Sequence, residues 1–191
     1  MDLILASTSP YRKQLLQRLQ IPFRCVAPKV DETPLSDEPP DRLAQRLALA
    51  KARAVLDANP GTLVIGSDQV ASINGNCIGK PGSHAAAAVQ LQASAGRKVE
   101  FYTAVALLGG AAGDAPCVLV PFSVHFRDLD DAEIERYLKA DQPYDCAGSF
   151  KCEGLGIALF DRMTGDDPTA LEGLPLIALA RLLRAAGVTV P

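Results

Sequence analysis

Residues 63–70, LVIGSDQV, constrain the fold of this chain more than any other stretch. The run is apolar without helical spacing and is broken only by Ser67-Asp68-Gln69. A segment of that length reads as a strand buried on both faces. Such a strand needs cover above and below, so helices must flank it. It must also shelter a carboxylate. Asp68 shares strand parity with Val64, Gly66 and Val70, on a face where an ionised acid survives only with a partner or a metal. Capping of a neighbouring turn is the plainer alternative for it.

The rest of the pattern supplies the flanking helices. Residues 3–6 read as a strand, 10–19 as a helix and 23–27 as a second strand. A proline-rich loop, PKVDETPLSDEPP, leads to a helix over 41–56. Asn74-Gly75 marks a hairpin turn, and the chain returns through Cys77-Ile78 to Gly79-Lys80-Pro81. An alanine-rich helix at 83–94 stops at Gly96. Val99, Phe101, Val105 and Leu107 then alternate on one strand, and Val118, Val120, Phe122, Val124 and Phe126 on the next. GGAAGDAP between them marks a second hairpin, and Pro121 points to a sheet edge or bulge. A helix at 131–140, a Gly-rich turn, a strand at 155–160 and a helix at 174–186 complete the chain. Crossovers mixed with hairpins imply an α/β fold on a mixed sheet, in a single domain spanning 1–191.

Composition excludes several roles. With 48% apolar and 21% charged residues among 191, the chain has the make-up of a soluble globular protein. A net charge of −3 and a pI near 5.4 argue against coating nucleic acid or an anionic membrane. No apolar stretch reaches the length of a membrane span, and the N-terminus is too short and acidic for a signal peptide. Cys25, Cys77, Cys117, Cys146 and Cys152 are widely spread, with only His84 and His125 beside them. They form neither a zinc set nor a disulfide framework, so buried reduced thiols in a cytoplasmic protein are expected.

Three cations stand in places as awkward as that of Asp68. Ser9 caps a helix with Pro10 in its first turn. Arg12 lies four and seven residues before Leu16 and Leu19, on the apolar stripe. Free N–H groups at that helix start, with the hydroxyls of Ser7, Thr8 and Ser9, favour an anion such as phosphate. Snorkelling off the rim is the plainer reading of Arg12, and equally of Lys51, which shares a helix face with Ala44, Leu47, Ala48 and Val55. Lys80 follows a hairpin and reads as solvated unless a ligand claims it. GNCIGKP is not a phosphate loop, being one residue short with proline where the metal-binding hydroxyl belongs. Asp31-Glu32, beside Lys29, is a weak signal alone. Together, acidic oxygens suit Mg²⁺ or Mn²⁺ and the cations suit a polyphosphate.

The strings LILASTSPYRKQLL, VDETP, RLALAKA, IGSDQV, GKP, AGSFKCEG and GLPL, in this order, resemble the Maf family of nucleotide pyrophosphatases over residues 3 to 186. The resemblance implies a two-lobed α/β structure with a curved mixed sheet and a central cleft, usually dimeric. It implies hydrolysis of nucleoside triphosphates to monophosphate and pyrophosphate with a divalent cation. Ser7, Arg12, Glu32, Lys51, Asp68 and Lys80 fall on the family's cleft positions, Asp68 on that of the proton acceptor and Glu32 beside it as a metal ligand. Tyr11, Gln69 and Glu153 match the YceF-like branch associated with 7-methyl-GTP rather than the dTTP/UTP branch, although that branch carries tryptophan where this chain has Tyr11. Glu153 would accept hydrogen bonds from the guanine ring N–H and amine and complement the positive charge that N7 methylation places on the base, and Tyr11 would stack on the cationic ring. Other nucleotides remain an alternative substrate class. A septum-formation regulator acting through a partner is an alternative role, but such a dead-site relative would lose acids or cations that this chain keeps.

Overall fold

The computed structural model describes residues 2–110 and 116–190. The chain runs β1 (Leu3–Ala6), α1 (Pro10–Gln17), β2 (Arg24–Val26), α2 (Pro40–Asp57), β3 (Leu63–Ile73), β4 (Asn76–Ile78) and α3 (His84–Ser94). It continues through β5 (Lys98–Gly109), β6 (Cys117–Phe126), α4 (Asp131–Asp141), a 3₁₀ turn (Leu155–Leu159), β7 (Phe160–Thr164), α5 (Pro168–Leu171) and α6 (Leu176–Ala185). The sheet order is β2-β1-β3-β5-β6-β7, with β4 paired to β3. β1 is parallel to both β2 and β3, and the later pairings are antiparallel, so the sheet is mixed as expected.

β1 and β3 are buried on both faces. Leu3, Leu5, Leu63 and Ile65 pack toward α1 and α6, while Ile4, Ala6, Val64 and Val70 pack toward α2. α2 approaches β3 very closely, because Ala44, Ala48 and Ala52 line its inner face at one-turn intervals. Gly66 completes this fit: a Cβ there would sit 2.1 Å from the Ala48 carbonyl oxygen and 2.8 Å from the Ala52 Cβ. That approach positions Lys51, which leaves α2 between Ala48 and Ala52. A separate core joins α3, α4, β6 and the far half of β5 around Phe101, Phe122, Phe126 and Phe150. The cleft lies between the two cores.

Local signals account for the ends of these elements. Ser9 accepts from the Arg12 amide to cap α1, Ser83 caps α3, and Asp130 with Glu133 forms a capping box on α4. Asn74 and Gly75 both hold positive φ, 52° and 81°, as a two-residue hairpin turn requires. Pro121 stands where β6 has no outer neighbour, since β7 covers only Ser123–Phe126. The tip of the β5–β6 connection, 111–115, lies outside the described residues.

Three expectations fail. Residues 155–160 form a 3₁₀ turn and only then a strand, and on this path Gly156 lies so close to Lys151 that a Cβ would meet its carbonyl oxygen at 2.4 Å. The helix expected over 174–186 starts only at Leu176, after Pro175, and α5 precedes it. One buried carboxylate organises both helices: Asp167 accepts from the Thr169 amide at 3.0 Å and the Ile177 amide at 2.8 Å. The cysteines are free but none is buried; Cys25 and Cys77 are exposed and the other three are half-buried. β2 and β4 are three-residue strands at the margins of the sheet, which leaves their thiols in solvent. Among the described residues no helix is long and apolar enough to cross a membrane.

Candidate active site

A cleft of about 740 Å³ opens between the two cores, and Ser7, Arg12, Glu32, Lys51, Asp68 and Lys80 all line it. Its centre is an ionic cluster. Lys51 Nζ lies 2.6 Å from Asp68 Oδ1 and 2.9 Å from Glu32 Oε1. The Lys51 and Asp68 side chains are only 6% and 9% exposed, whereas Glu32 is 58% exposed. Lys51 therefore does not snorkel; it ends among carboxylates. Burial raises the Asp68 pKa above the usual carboxylate range, against the opposing pull of Lys51 and Arg12. The result is an ionisable oxygen, Asp68 Oδ2, with no protein partner among the described residues.

Arg12 approaches from the helix start. Its Nε donates to the Gly173 carbonyl at 2.9 Å, which fixes the plane of the guanidinium. Its two terminal nitrogens have no protein partner among the described residues. Burial lowers the Arg12 pKa while Asp68 and Glu32 oppose that shift, and so large a starting value keeps it charged. Ser67, one residue before Asp68 on the opposite strand face, also donates to Gly173 O, at 3.1 Å. Gly173 holds φ +105°, a conformation that disfavours any side chain. Ser7 is buried and its hydroxyl accepts from the Ser9 amide at 3.1 Å, so its proton remains available to a ligand. Lys80 is exposed on the β4–α3 loop and reaches the cleft rim.

Glu32 is placed by a strap outside the cleft. Arg46, on α2, binds both oxygens of Glu38 at 2.6 and 2.7 Å and the Thr33 carbonyl at 3.1 Å. The Arg46 contact holds Glu38 down at a pKa of about 2. Asp31 turns back to cap the Thr33 amide at 2.9 Å, so of the adjacent acids only Glu32 faces the cleft.

A smaller cavity of about 130 Å³ adjoins the first and shares Tyr11, Arg12, Gln69 and Lys80 with it. Tyr11, Gln69 and Glu153 all line it. Gln69 spends its amide nitrogen on the carbonyls of Ala170 (2.8 Å) and Leu171 (3.0 Å), which ties β3 to α5 and leaves Oε1 without a protein partner among the described residues. Cys146 Sγ lies 3.9 Å from the Tyr11 hydroxyl and 3.5 Å from Asp145 Oδ1. Cys152 Sγ lies 3.5 Å from Glu153 Oε2. Burial, with acidic neighbours, pushes both thiols up to about 12, so they stay protonated. Gly173, Asp145, Cys146 and the Arg46–Glu38 strap were not singled out by sequence. Among them Gly173, within GLPL, and Arg46, the first residue of RLALAKA, lie in quoted motifs.

Among the described residues no group of three or more His, Cys, Asp or Glu is placed to hold a metal ion. Asp68 and Glu32 nonetheless converge within hydrogen-bond reach of one ammonium. Two carboxylates in a cleft that also gathers Arg12 and Lys80 have the chemistry to hold Mg²⁺, which takes most of its ligands from water and substrate.

The family model described as "Maf-like protein" matches residues 2–186. The chain is 57% identical over 189 residues to a 7-methyl-GTP pyrophosphatase of Aromatoleum aromaticum, covering 99% of this chain and 97% of that protein. It is 56% identical over 188 residues to one of Albidiferax ferrireducens, covering 98% and 94%. It is 58% identical over 188 residues to one of Burkholderia pseudomallei, covering 97% and 87%.

Proposed function

This chain belongs to the Maf-like protein family, and we propose that it hydrolyses 7-methyl-GTP to 7-methyl-GMP and pyrophosphate. The observation that carries this reading is the convergence of Arg12, Lys51 and Lys80 with Asp68 and Glu32 in one cleft that opens into a smaller, aromatic-lined cavity. A solvent-filled cleft gives no reason to bury Lys51 and Asp68; a polyphosphate and its attacking water do.

The triphosphate lies across the larger cleft, its charge met by the free guanidinium nitrogens of Arg12, by Lys80 and by Lys51, with the Ser7 hydroxyl donating to an oxygen. Asp68 Oδ2 accepts a proton from a water aligned with the α-phosphorus, and that water's oxygen forms the new P–O bond. The bridging bond to the β-phosphate breaks, and its electron pair leaves on pyrophosphate. A carboxyl raised by burial is a stronger base than a surface aspartate, which suits this role. Asp68 and Glu32 would hold Mg²⁺ or Mn²⁺ together with substrate oxygens, and the ion would supply charge neutralisation at the phosphates. The base enters the smaller cavity, where Tyr11 stacks on it and Glu153 accepts from its ring N–H and exocyclic amine. The same reading makes the chain a cytoplasmic homodimer working as one domain, with a free nucleotide as its partner and neither nucleic acid nor membrane.

The test is pyrophosphate release from 7-methyl-GTP, GTP, UTP, dTTP and inosine triphosphate, with and without Mg²⁺, by the native chain and by Asp68→Asn. Native turnover highest on 7-methyl-GTP is expected, and about 10²- to 10⁴-fold lower in the variant at unchanged circular dichroism. Turnover in Asp68→Asn equal to native would remove Asp68 from the mechanism; no release from any nucleotide would remove the activity.

A further inference from the structure

We propose that Asp145 is a specificity-determining residue whose carboxylate senses the positive charge that N7 methylation places on the base. The inference rests on the preceding reading of the two cavities as triphosphate and base sites.

Asp145 lies at their junction and lines both. A single sulfur fixes its relation to the stacking ring: Cys146 Sγ is 3.5 Å from Asp145 Oδ1 and 3.9 Å from the Tyr11 hydroxyl. A base stacked on Tyr11 therefore has this carboxylate near the hydroxyl end of the ring. The other acids around the smaller cavity are engaged differently. Glu172 is neutralised by Arg18 at 2.8 Å. Glu153 is the acceptor for the ring N–H and the amine, groups that GTP and 7-methyl-GTP both present. Asp145 has no cationic partner among the described residues, and its near thiol is held protonated.

An unpaired carboxylate beside a triphosphate site repels the ligand. That cost makes sense only if the ligand carries a positive charge on the same side. A 7-methylguanine ring does, and a guanine ring does not. Glu153 reads the guanine edge and meets part of the ring's charge, and Asp145 adds a second carboxylate that responds to that charge alone. The Cys146 thiol, bridging Asp145 and Tyr11, holds the carboxylate and the ring in register.

The experiment compares kcat/KM of the native chain, Asp145→Asn and Asp145→Glu on three substrates: 7-methyl-GTP, GTP, and 7-deaza-7-methyl-GTP, which has the methyl group without the charge. For a solvent-exposed carboxylate near a single charge, Asp145→Asn should lower kcat/KM on 7-methyl-GTP by about three- to tenfold. It should leave GTP and the deaza analogue unchanged or slightly improved, and Asp145→Glu should restore most of the preference. Equal loss on all three substrates, an unchanged preference, or an equal loss recovered by added Mg²⁺ would overturn the proposal. If the native chain does not prefer 7-methyl-GTP over GTP, the reading of the function fails first, and that result is visible before any variant is made.

Discussion

Replacing Lys51 by methionine tests whether the ionic cluster is held together by charge. Methionine keeps the aliphatic stem that packs beside Leu47 and Ala48 but leaves Asp68, 9% exposed, without its 2.6 Å partner. Removing one member of a buried pair costs about 3–5 kcal/mol. The structure sets a ceiling on that cost, because the variant can always fold with Asp68 protonated. Holding a proton on a carboxyl whose unfolded pKa is 3.8 costs about 1.36 kcal/mol for each pH unit above it. That limit is about 4.4 kcal/mol at pH 7 and about 1.6 kcal/mol at pH 5. The sign follows from the direction of the shift. Asp68 is already raised in the native fold, and losing the Lys51 attraction raises it further. Stability tied to its protonated form is complete below pH 3.8 and is lost as pH climbs through the folded value. Because the native chain already carries part of this shift, the gap between variant and native should stay below about 4.4 kcal/mol at pH 7 and below about 1.6 kcal/mol at pH 5. Urea unfolding at a series of pH values, with equal m-values as the check on two-state behaviour, measures it. A loss that does not change with pH would mean that packing, not the buried carboxylate, had been disturbed, and the electrostatic account of the cleft would fail.

Three further perturbations probe how the site is held. Gly66→Ala puts a Cβ 2.1 Å from the Ala48 carbonyl, so α2 must retreat from β3; a loss of about 1–3 kcal/mol by urea unfolding should accompany a large fall in kcat. Arg46→Gln releases the bidentate hold on Glu38, and limited proteolysis should then cut within residues 28–39 while turnover falls through misplaced Glu32. Cleavage and turnover equal to native would show that the strap has no role. Glu153→Gln should weaken 7-methyl-GTP and GTP together but spare UTP, and steady-state kinetics showing equal loss on all three would contradict its reading of the guanine edge.

Much of the fold was legible because its elements carry local signals. Ser9-Pro10, Asn74-Gly75 and Pro121 each act through the backbone at their own position, and each stands where that chemistry requires. The errors fall where tertiary contact overrides local preference. Leu155-Gly156-Ile157 has the apolar content of a strand, but it coils into a 3₁₀ turn packed against the Lys151 backbone at Gly156, where no side chain fits. The helix expected over 174–186 begins late, and α5 before it was not foreseen, because the sequence does not reveal that Asp167 caps the amides of Thr169 and Ile177, eight residues apart.

The cleft was legible for a different reason. An ion on an apolar face is costly, so Arg12, Lys51 and Asp68 are conspicuous in the sequence itself; each needs compensation, and they compensate one another. Residues that act through inexpensive positions leave no such trace. The carbonyl that orients Arg12 belongs to Gly173, and any residue has a carbonyl. Arg46 and Glu38 look like ordinary surface charges until Arg46 is seen to clamp Glu38 and the Thr33 carbonyl, next to Glu32. Asp145 is an exposed acid like many others, and only its place beside Tyr11 and the larger cleft makes informative its lack of a cationic partner among the described residues. Burial therefore announces the residues that bind charge, whereas those that aim them or discriminate between ligands emerge only from geometry.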